Sequence, residues 1–149
     1  MIRQIEEKDR ELFMQLSKEF YDSDAVLHPL PDAYHDQTFQ ELMQSSAYAQ
    51  GFMLESDGKP AGYALLAKTF SREAGGIVLW VEEIYIRPAY RGHGLGKEFF
   101  AFLFQHAGSE VKRIRLEVEP ENTGAIRLYQ SLGFQTLPYM QMVKEKEEE

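Results

Sequence analysis

The sequence predicts a mixed α/β domain built on one sheet. Three observations carry this. Apolar residues recur at helical spacing in separate stretches; β-branched and aromatic runs bounded by glycine and proline lie between them; and the second half alternates strand, helix, strand, helix, strand. A chain of 149 residues suits a single domain spanning residues 1–149. It is long enough to bury roughly two thirds of its unfolded surface around one core. With 44% hydrophobic and 27% charged residues, the composition is that of a globular protein.

Residues 2–5 read as a short first strand. Residues 7–21 read as a helix, because Leu12, Leu16 and Phe20 repeat every fourth position with Phe13 beside them. Pro29 and Pro31 make 22–32 a loop, and 38–46 reads as a short helix. A β region follows. Residues 52–55 lead into Asp57-Gly58, a hairpin turn signal. Residues 61–70 return as a second strand, and 77–86 form a long third one rich in β-branched and aromatic residues. Residues 88–94 break the pattern. A helix over 95–107 puts Leu95, Phe99, Phe102 and Leu103 on one face. The alternation Ile114, Leu116, Val118 gives a strand over 113–119, ended by Pro120. A helix over 122–132 has Asn122 as its N-cap and Gly133 just past its end, and 134–143 reads as a last strand.

Charge and cysteine content narrow the chemistry. Sixteen basic against twenty-four acidic residues leave a net charge of −8. That argues against nucleic acid as a partner, which needs clustered lysine and arginine, and mildly favours cationic ligands. The charged tail 144–149 reads as a frayed end. The chain has no cysteine, which excludes disulfides, thiolate metal sites and a cysteine nucleophile. The histidines are scattered, so no metal is expected. The first residues, MIRQIEEKDRE, hold no apolar core of a signal peptide, and no apolar run approaches the about 18 residues of a membrane span. The expectation is a cytoplasmic protein that engages no membrane.

The segment Arg91-Gly92-His93-Gly94-Leu95-Gly96 joins a strand to a helix. Glycine at every second position lets the backbone approach a ligand and adopt positive φ. The helix N-terminus just beyond adds unpaired N–H groups and the positive dipole end. Together they make an anion site suited to a diphosphate. Spacing excludes two better-known loops. A G-x-G-x-x-G loop starting at Gly92 would need glycine where Lys97 stands. A G-x-x-x-x-G-K-[ST] loop ending at Gly96-Lys97 would need glycine at Arg91 and a hydroxyl at Glu98.

The stretch from Trp80 to Phe134 resembles the GNAT superfamily of acetyl-CoA-dependent N-acetyltransferases. Residues 81–90, VEEIYIRPAY, look like that family's central strand and its exit. Arg91–Gly96 matches its loop Q/R-x-x-G-x-G/A. Asn122-Thr123-Gly124-Ala125-Ile126-Arg127-Leu128-Tyr129, followed by Gly133-Phe134, looks like N-x-x-A-x-x-L-Y-x-x-x-G-F. The resemblance implies a central mixed sheet with splayed strands flanked by about four helices. It also implies acetyl-CoA as cosubstrate, transfer to a primary amine by direct attack, and the homodimeric state common among relatives. In such proteins the pantetheine arm pairs with the central strand, here through Ile84, Tyr85 and Ile86. Main-chain groups of Arg91, Gly92, His93, Gly94, Leu95, Gly96 and Lys97 would hold the diphosphate. Asn122 and the Tyr129 hydroxyl would lie near the thiol end, with Ala125 a further cofactor contact. The position of His93 varies in the family pattern, which argues against a catalytic histidine there.

Acetyl transfer to an amine needs a neutral amine, a stabilised carbonyl oxygen and a proton for the departing thiolate. The motif makes Tyr129 the candidate acid, since a phenol of pKa about 10 holds its proton where a thiol of about 8.5 begins to lose its own. Glu82 and Glu83 are the candidate bases. Alternation normally lets only one face the site, with Glu82 sharing a face with Ile84 and Glu83 with Tyr85. The resembled family often has a bulge here that confuses this parity, and by its position relative to the glycine loop Glu82 aligns better with the family's glutamate. Tyr21, Asp22, Asp24 and His28 lie where the family builds its acceptor site. The acceptor is a small-molecule amine on this reading. A protein or peptide amine, or a non-catalytic acetyl-CoA-binding module, are the alternatives.

Overall fold

The computed structural model describes residues 1–147. Glu148 and Glu149, the end of the charged tail, lie outside the described residues. The described chain divides into a large unit, Met1–Glu117, and a small one from Val118 onward. The large unit holds a five-stranded sheet in the order β1-β2-β3-β4-β5. It is formed by β1 (Ile2–Gln4), β2 (Ala49–Ser56), β3 (Lys59–Ser71), β4 (Gly76–Ile86) and β5 (Val111–Leu116). The first four strands pair antiparallel and β5 joins β4 in parallel. The parallel pair requires a crossover, and α3 (Leu95–His106) supplies it. The β2–β3 hairpin turns at Asp57 and Gly58, both left-handed with φ of 51° and 74°, the backbone that a two-residue turn demands.

Helices cover both faces of the sheet. One 3₁₀ turn, Glu7–Asp9, leads into α1 (Arg10–Tyr21). The buried Phe13 and Leu16 of α1 join Phe39 and Leu42 of α2 (Asp32–Gln44), together with Met53, Tyr63 and Tyr85 of the sheet. Phe13 meets Phe39 and Tyr63 at 5.8 and 5.5 Å between ring centroids. On α3, Leu95, Phe99, Phe100 and Leu103 are buried, and Phe99 and Phe102 pack on Phe52 of β2. Covered from both sides, β3 is buried continuously from Ala61 to Ala64, as expected for an inner strand.

The small unit contains α4 (Thr123–Ser131). Asn122 caps it by accepting a hydrogen bond from the Ala125 N–H at 3.2 Å. Gly133 follows with φ 95°, the left-handed residue that ends many helices. The described residues thus carry one mixed sheet and four α-helices.

Two expectations are corrected. The α2 helix begins at Asp32, six positions before Thr38, because Pro31 takes the cap position and a proline there costs the helix no hydrogen bond. Residues 134–143 form no strand. Alternation supplies a face, but a strand also needs a neighbour to complete its hydrogen bonds, and no ladder includes these residues.

Candidate active site

From β4 the chain runs through a 3₁₀ turn, Pro88–Tyr90, into the glycine loop and α3. Gly92 and Gly94 are left-handed, with φ of 80° and 82°. Gly94 is the N-cap of α3 and no side chain caps the helix. The Glu98 N–H donates to the Gly94 carbonyl at 3.0 Å, so the N–H groups of Leu95, Gly96 and Lys97 precede the first intrahelical bond. A Cβ built on Gly92 or Gly94 meets nothing within 4 Å, and one on Gly96 meets only Ile86 Cδ1 at 3.9 Å. Arg91 Nε donates to the Ile86 carbonyl at 2.8 Å and ties the loop to β4. Open space over directed amides at a helix N-terminus fits a diphosphate. His93 and Lys97 are exposed beside it.

The edge of β4 next to this loop is the second feature. Pairing between β4 and β5 runs from Ile77–Val111 to Val81–Leu116, yet β4 continues to Ile86. Ile84, Tyr85 and Ile86 pair on their other side with Ala64, Tyr63 and Gly62 of β3. Their β5-side main chain therefore has no ladder partner among the described residues. An extended arm bearing amides is the natural complement of such an edge.

A β-bulge separates the two carboxylates. Leu65 pairs with Glu83 and Leu66 with Val81, leaving Glu82 as the extra residue. Glu82 is solvent-accessible. Desolvation first, then the like charges of Glu117 and Glu83, push its carboxyl above the usual carboxylate range. Glu83 turns inward. Its Oε2 accepts from the Tyr21 hydroxyl at 2.8 Å, and its Oε1 accepts from the hydroxyl of Tyr63, which is fully buried. Burial, then the adjacent Glu83 charge, raise both phenols well above their ordinary value. Beneath them, Ser17 Oγ and His35 Nδ1 lie 2.6 Å apart, both buried, and the His35 ring meets the Tyr21 ring edge-on at 5.7 Å. Two residues before Tyr21 on α1, Glu19 binds Arg87 through both carboxylate oxygens at 3.1 Å and accepts from Tyr85 at 3.2 Å.

Of the acceptor-site candidates, only Tyr21 joins this network. Asp22, Asp24 and His28 are exposed at or beyond the end of α1. In the small unit, burial raises the Tyr129 phenol, whose ring meets Phe134 edge-on at 5.9 Å. Sequence reading missed Ser17, His35, Tyr63 and Glu117. His35 was legible in principle, since His35, Phe39 and Leu42 share one helical face once α2 starts at Asp32. Glu117 follows Leu116, the register partner of Val81. Tyr63 carries no local signal, because only the β3–β4 register brings it to Glu83.

Comparison with known proteins bears on the family and the fold. A model of the acetyltransferase (GNAT) family matches residues 10–134, and the chain belongs to that family. It is 42% identical over 59 residues to the spermine/spermidine N(1)-acetyltransferase of Bacillus subtilis (strain 168), a match covering 38% of this chain and 39% of that enzyme. An uncharacterized protein of Mycobacterium leprae is 35% identical over 126 residues, 83% of this chain and 31% of that protein. The chain thus spans well under two thirds of these curated relatives. Among solved structures, a possible acetyltransferase from Clostridium difficile 630 superposes with a TM-score of 0.84 at 18% identity, over 99% of this chain and 98% of that one. The aminoglycoside acetyltransferase AAC(6')-Iy with a CoA bisubstrate analogue gives 0.80 at 21% identity, over 98% and 97%. At these identities the superpositions establish the fold.

Proposed function

We propose that the chain is a single-domain cytoplasmic N-acetyltransferase that moves an acetyl group from acetyl-CoA to a primary amine of a small molecule by direct attack. The observation that carries this reading is the continuity of β4, whose β5-side edge has no ladder partner beyond Val81 among the described residues, with a glycine loop opening onto the N-terminus of α3. Acetyl-CoA supplies an activated acyl group and a thiol leaving group. Ile84, Tyr85 and Ile86 offer main-chain partners to the pantetheine arm. The N–H groups from Arg91 to Lys97 hold the diphosphate. The family motif supports Asn122, Ala125 and Tyr129 as further contacts of the same cosubstrate.

Glu82 is the base. Its raised carboxyl pKa moves it toward the operating pH, where general-base transfer is most effective, and a relayed water takes the amine's proton to it. Tyr129 is the acid. Its raised phenol pKa keeps the proton in place at neutral pH until the thiolate departs. Glu83 already accepts two hydrogen bonds and is the weaker choice of base.

The test is a pair of measurements. Acetyl-CoA at about 100 times its Kd stabilises by about 2.7 kcal/mol, worth roughly 5–10 °C in Tm at this chain length. Acetylation is then assayed over primary alkylamines, starting with spermidine because of the name of the B. subtilis relative, and over peptides with free N-termini. Binding with turnover of small amines supports the proposal. Turnover of peptides alone transfers the activity to a protein acceptor. Binding without turnover leaves a cofactor-binding module, and no thermal shift sinks the reading altogether.

A further inference from the structure

We propose that Tyr21 takes an N–H of the acceptor amine on its phenol oxygen, and that Glu83 is the positioning residue that turns the phenol that way. The proposal rests on the N-acetyltransferase reading and deepens it. A carboxylate only accepts hydrogen bonds, and a tyrosine hydroxyl has one proton to give. Tyr21 and Tyr63 both give theirs to Glu83, one to each carboxylate oxygen. Tyr63 is fully buried and has no surface to offer a ligand. Tyr21 is only half-buried, and with its proton committed its oxygen presents lone pairs alone.

That polarity suits the reaction. A neutral amine has N–H donors and one lone pair, and the lone pair must stay free to reach the thioester carbon. A hydroxyl pointing its proton at the amine would occupy the nucleophile. A hydroxyl whose proton is held by Glu83 takes an N–H and leaves the lone pair exposed. The Glu83 carboxylate that holds Tyr21 is next to Glu82 at the bulge, and the Tyr21 phenol feels the Glu82 charge, so the contact and the proposed base are neighbours. The ring is fixed as well as the proton. Tyr21 packs against Phe20 at 5.2 Å and edge-on against His35, which Ser17 holds from α1. The buried Ser17–His35 pair thereby acts through Tyr21.

A double-mutant cycle on an accepted amine tests this, with acetyl-CoA affinity measured in parallel. Tyr21→Phe keeps the ring and loses one neutral hydrogen bond. KM for the amine is expected to rise about 2- to 10-fold, with kcat and the acetyl-CoA Kd unchanged, the signature of a contact made equally in ground and transition states. Glu83→Gln has one acceptor oxygen and one NH₂ for two phenols, which frees a phenol proton to turn outward. Its kcat is expected to fall at least 10-fold. Since Glu83 acts through the Tyr21 hydroxyl, the same change in a Tyr21→Phe background should cost no more than about twofold further.

Additive losses would overturn the proposal by giving Glu83 a role of its own, as would an unchanged KM in Tyr21→Phe. Should Glu83→Gln not fold, Tyr21→Phe alone decides by its split between KM and kcat. A wild type that binds acetyl-CoA yet acetylates no amine defeats the activity reading itself, an outcome distinct from an active enzyme indifferent to Tyr21.

Discussion

Glu82 and Glu83 are chemically identical neighbours, and one extra residue in a strand gives them different surroundings. Glu82 stands on the bulge, where desolvation first, and then the like charges of Glu117 and Glu83, raise its carboxyl. A carboxyl whose folded value lies above its unfolded one favours the fold while protonated. That contribution is complete below the unfolded value of about 4.3 and is lost as pH rises through the folded value. Ionised Glu82 therefore weighs against the fold at neutral pH. Glu82→Gln is expected to raise Tm at neutral pH and to leave it unchanged well below the carboxylate range, which calorimetry at the two pH values checks. The same variant should lose the acid limb of the kcat/KM profile, since no base remains to deprotonate as pH rises. A retained limb would assign the base elsewhere. For Tyr129→Phe, which keeps the ring and removes the proton, a fall in the acetyl-transfer rate of about 10²–10⁴-fold is expected. Single-turnover kinetics at saturating acetyl-CoA read it, and full activity would leave Tyr129 to packing alone.

At the scale of the element, β4 and its exit are built around close approaches. Gly62 of β3 pairs with Ile86, and a Cβ there would lie 1.9 Å from the Tyr85 carbonyl oxygen. Backbone gives way less easily than a side-chain tip, so Gly62→Ala is expected to cost about 1–3 kcal/mol by overpacking, read by denaturant unfolding. It should also disturb the edge formed by Tyr85 and Ile86. Gly94 is the opposite case. A side chain there meets no atom within 4 Å, so the cost of Gly94→Val is conformational, about 1–2 kcal/mol for a left-handed residue. The turn that aims the amides is what should be lost. The expected result is a native far-ultraviolet spectrum with no thermal shift from acetyl-CoA; a retained shift would remove the loop from the binding site. Both glycines were visible in the sequence, but only the loop glycine announced itself, by alternating with two others. Gly62 looks like any glycine in a strand until Tyr85 lies across from it.

For the whole molecule, the net charge of −8 acts over distances longer than any one contact. It raises the local concentration of a cationic acceptor near the protein and is screened by salt. KM for a polyamine is therefore expected to rise with ionic strength, while KM for an uncharged amine analogue stays nearly flat. Initial-rate measurements from low to high salt check this, and equal slopes for the two would confine recognition to local contacts. The GNAT resemblance was legible over the second half because its motifs are local: a glycine loop, a cap and a helix face, each within a dozen residues. The network of Tyr21, Tyr63, Glu83 and His35 proposed for the acceptor side was not, because these residues come from two helices and two strands.

By itself the sequence determined most of the strands and helices, the hairpin at Asp57-Gly58, the glycine loop between strand and helix, and the family, because each depends on spacing along the chain. Only the tertiary structure decided which glutamate faces solvent, since that depends on the β3–β4 register, in which Glu82 is the bulged residue and Glu83 pairs with Leu65. It also decided where β5 leaves β4, and that residues 134–143, though patterned as a strand, join no ladder. Both are matters of pairing, and a strand's partners are set by hydrogen bonds to distant chain that no local pattern records.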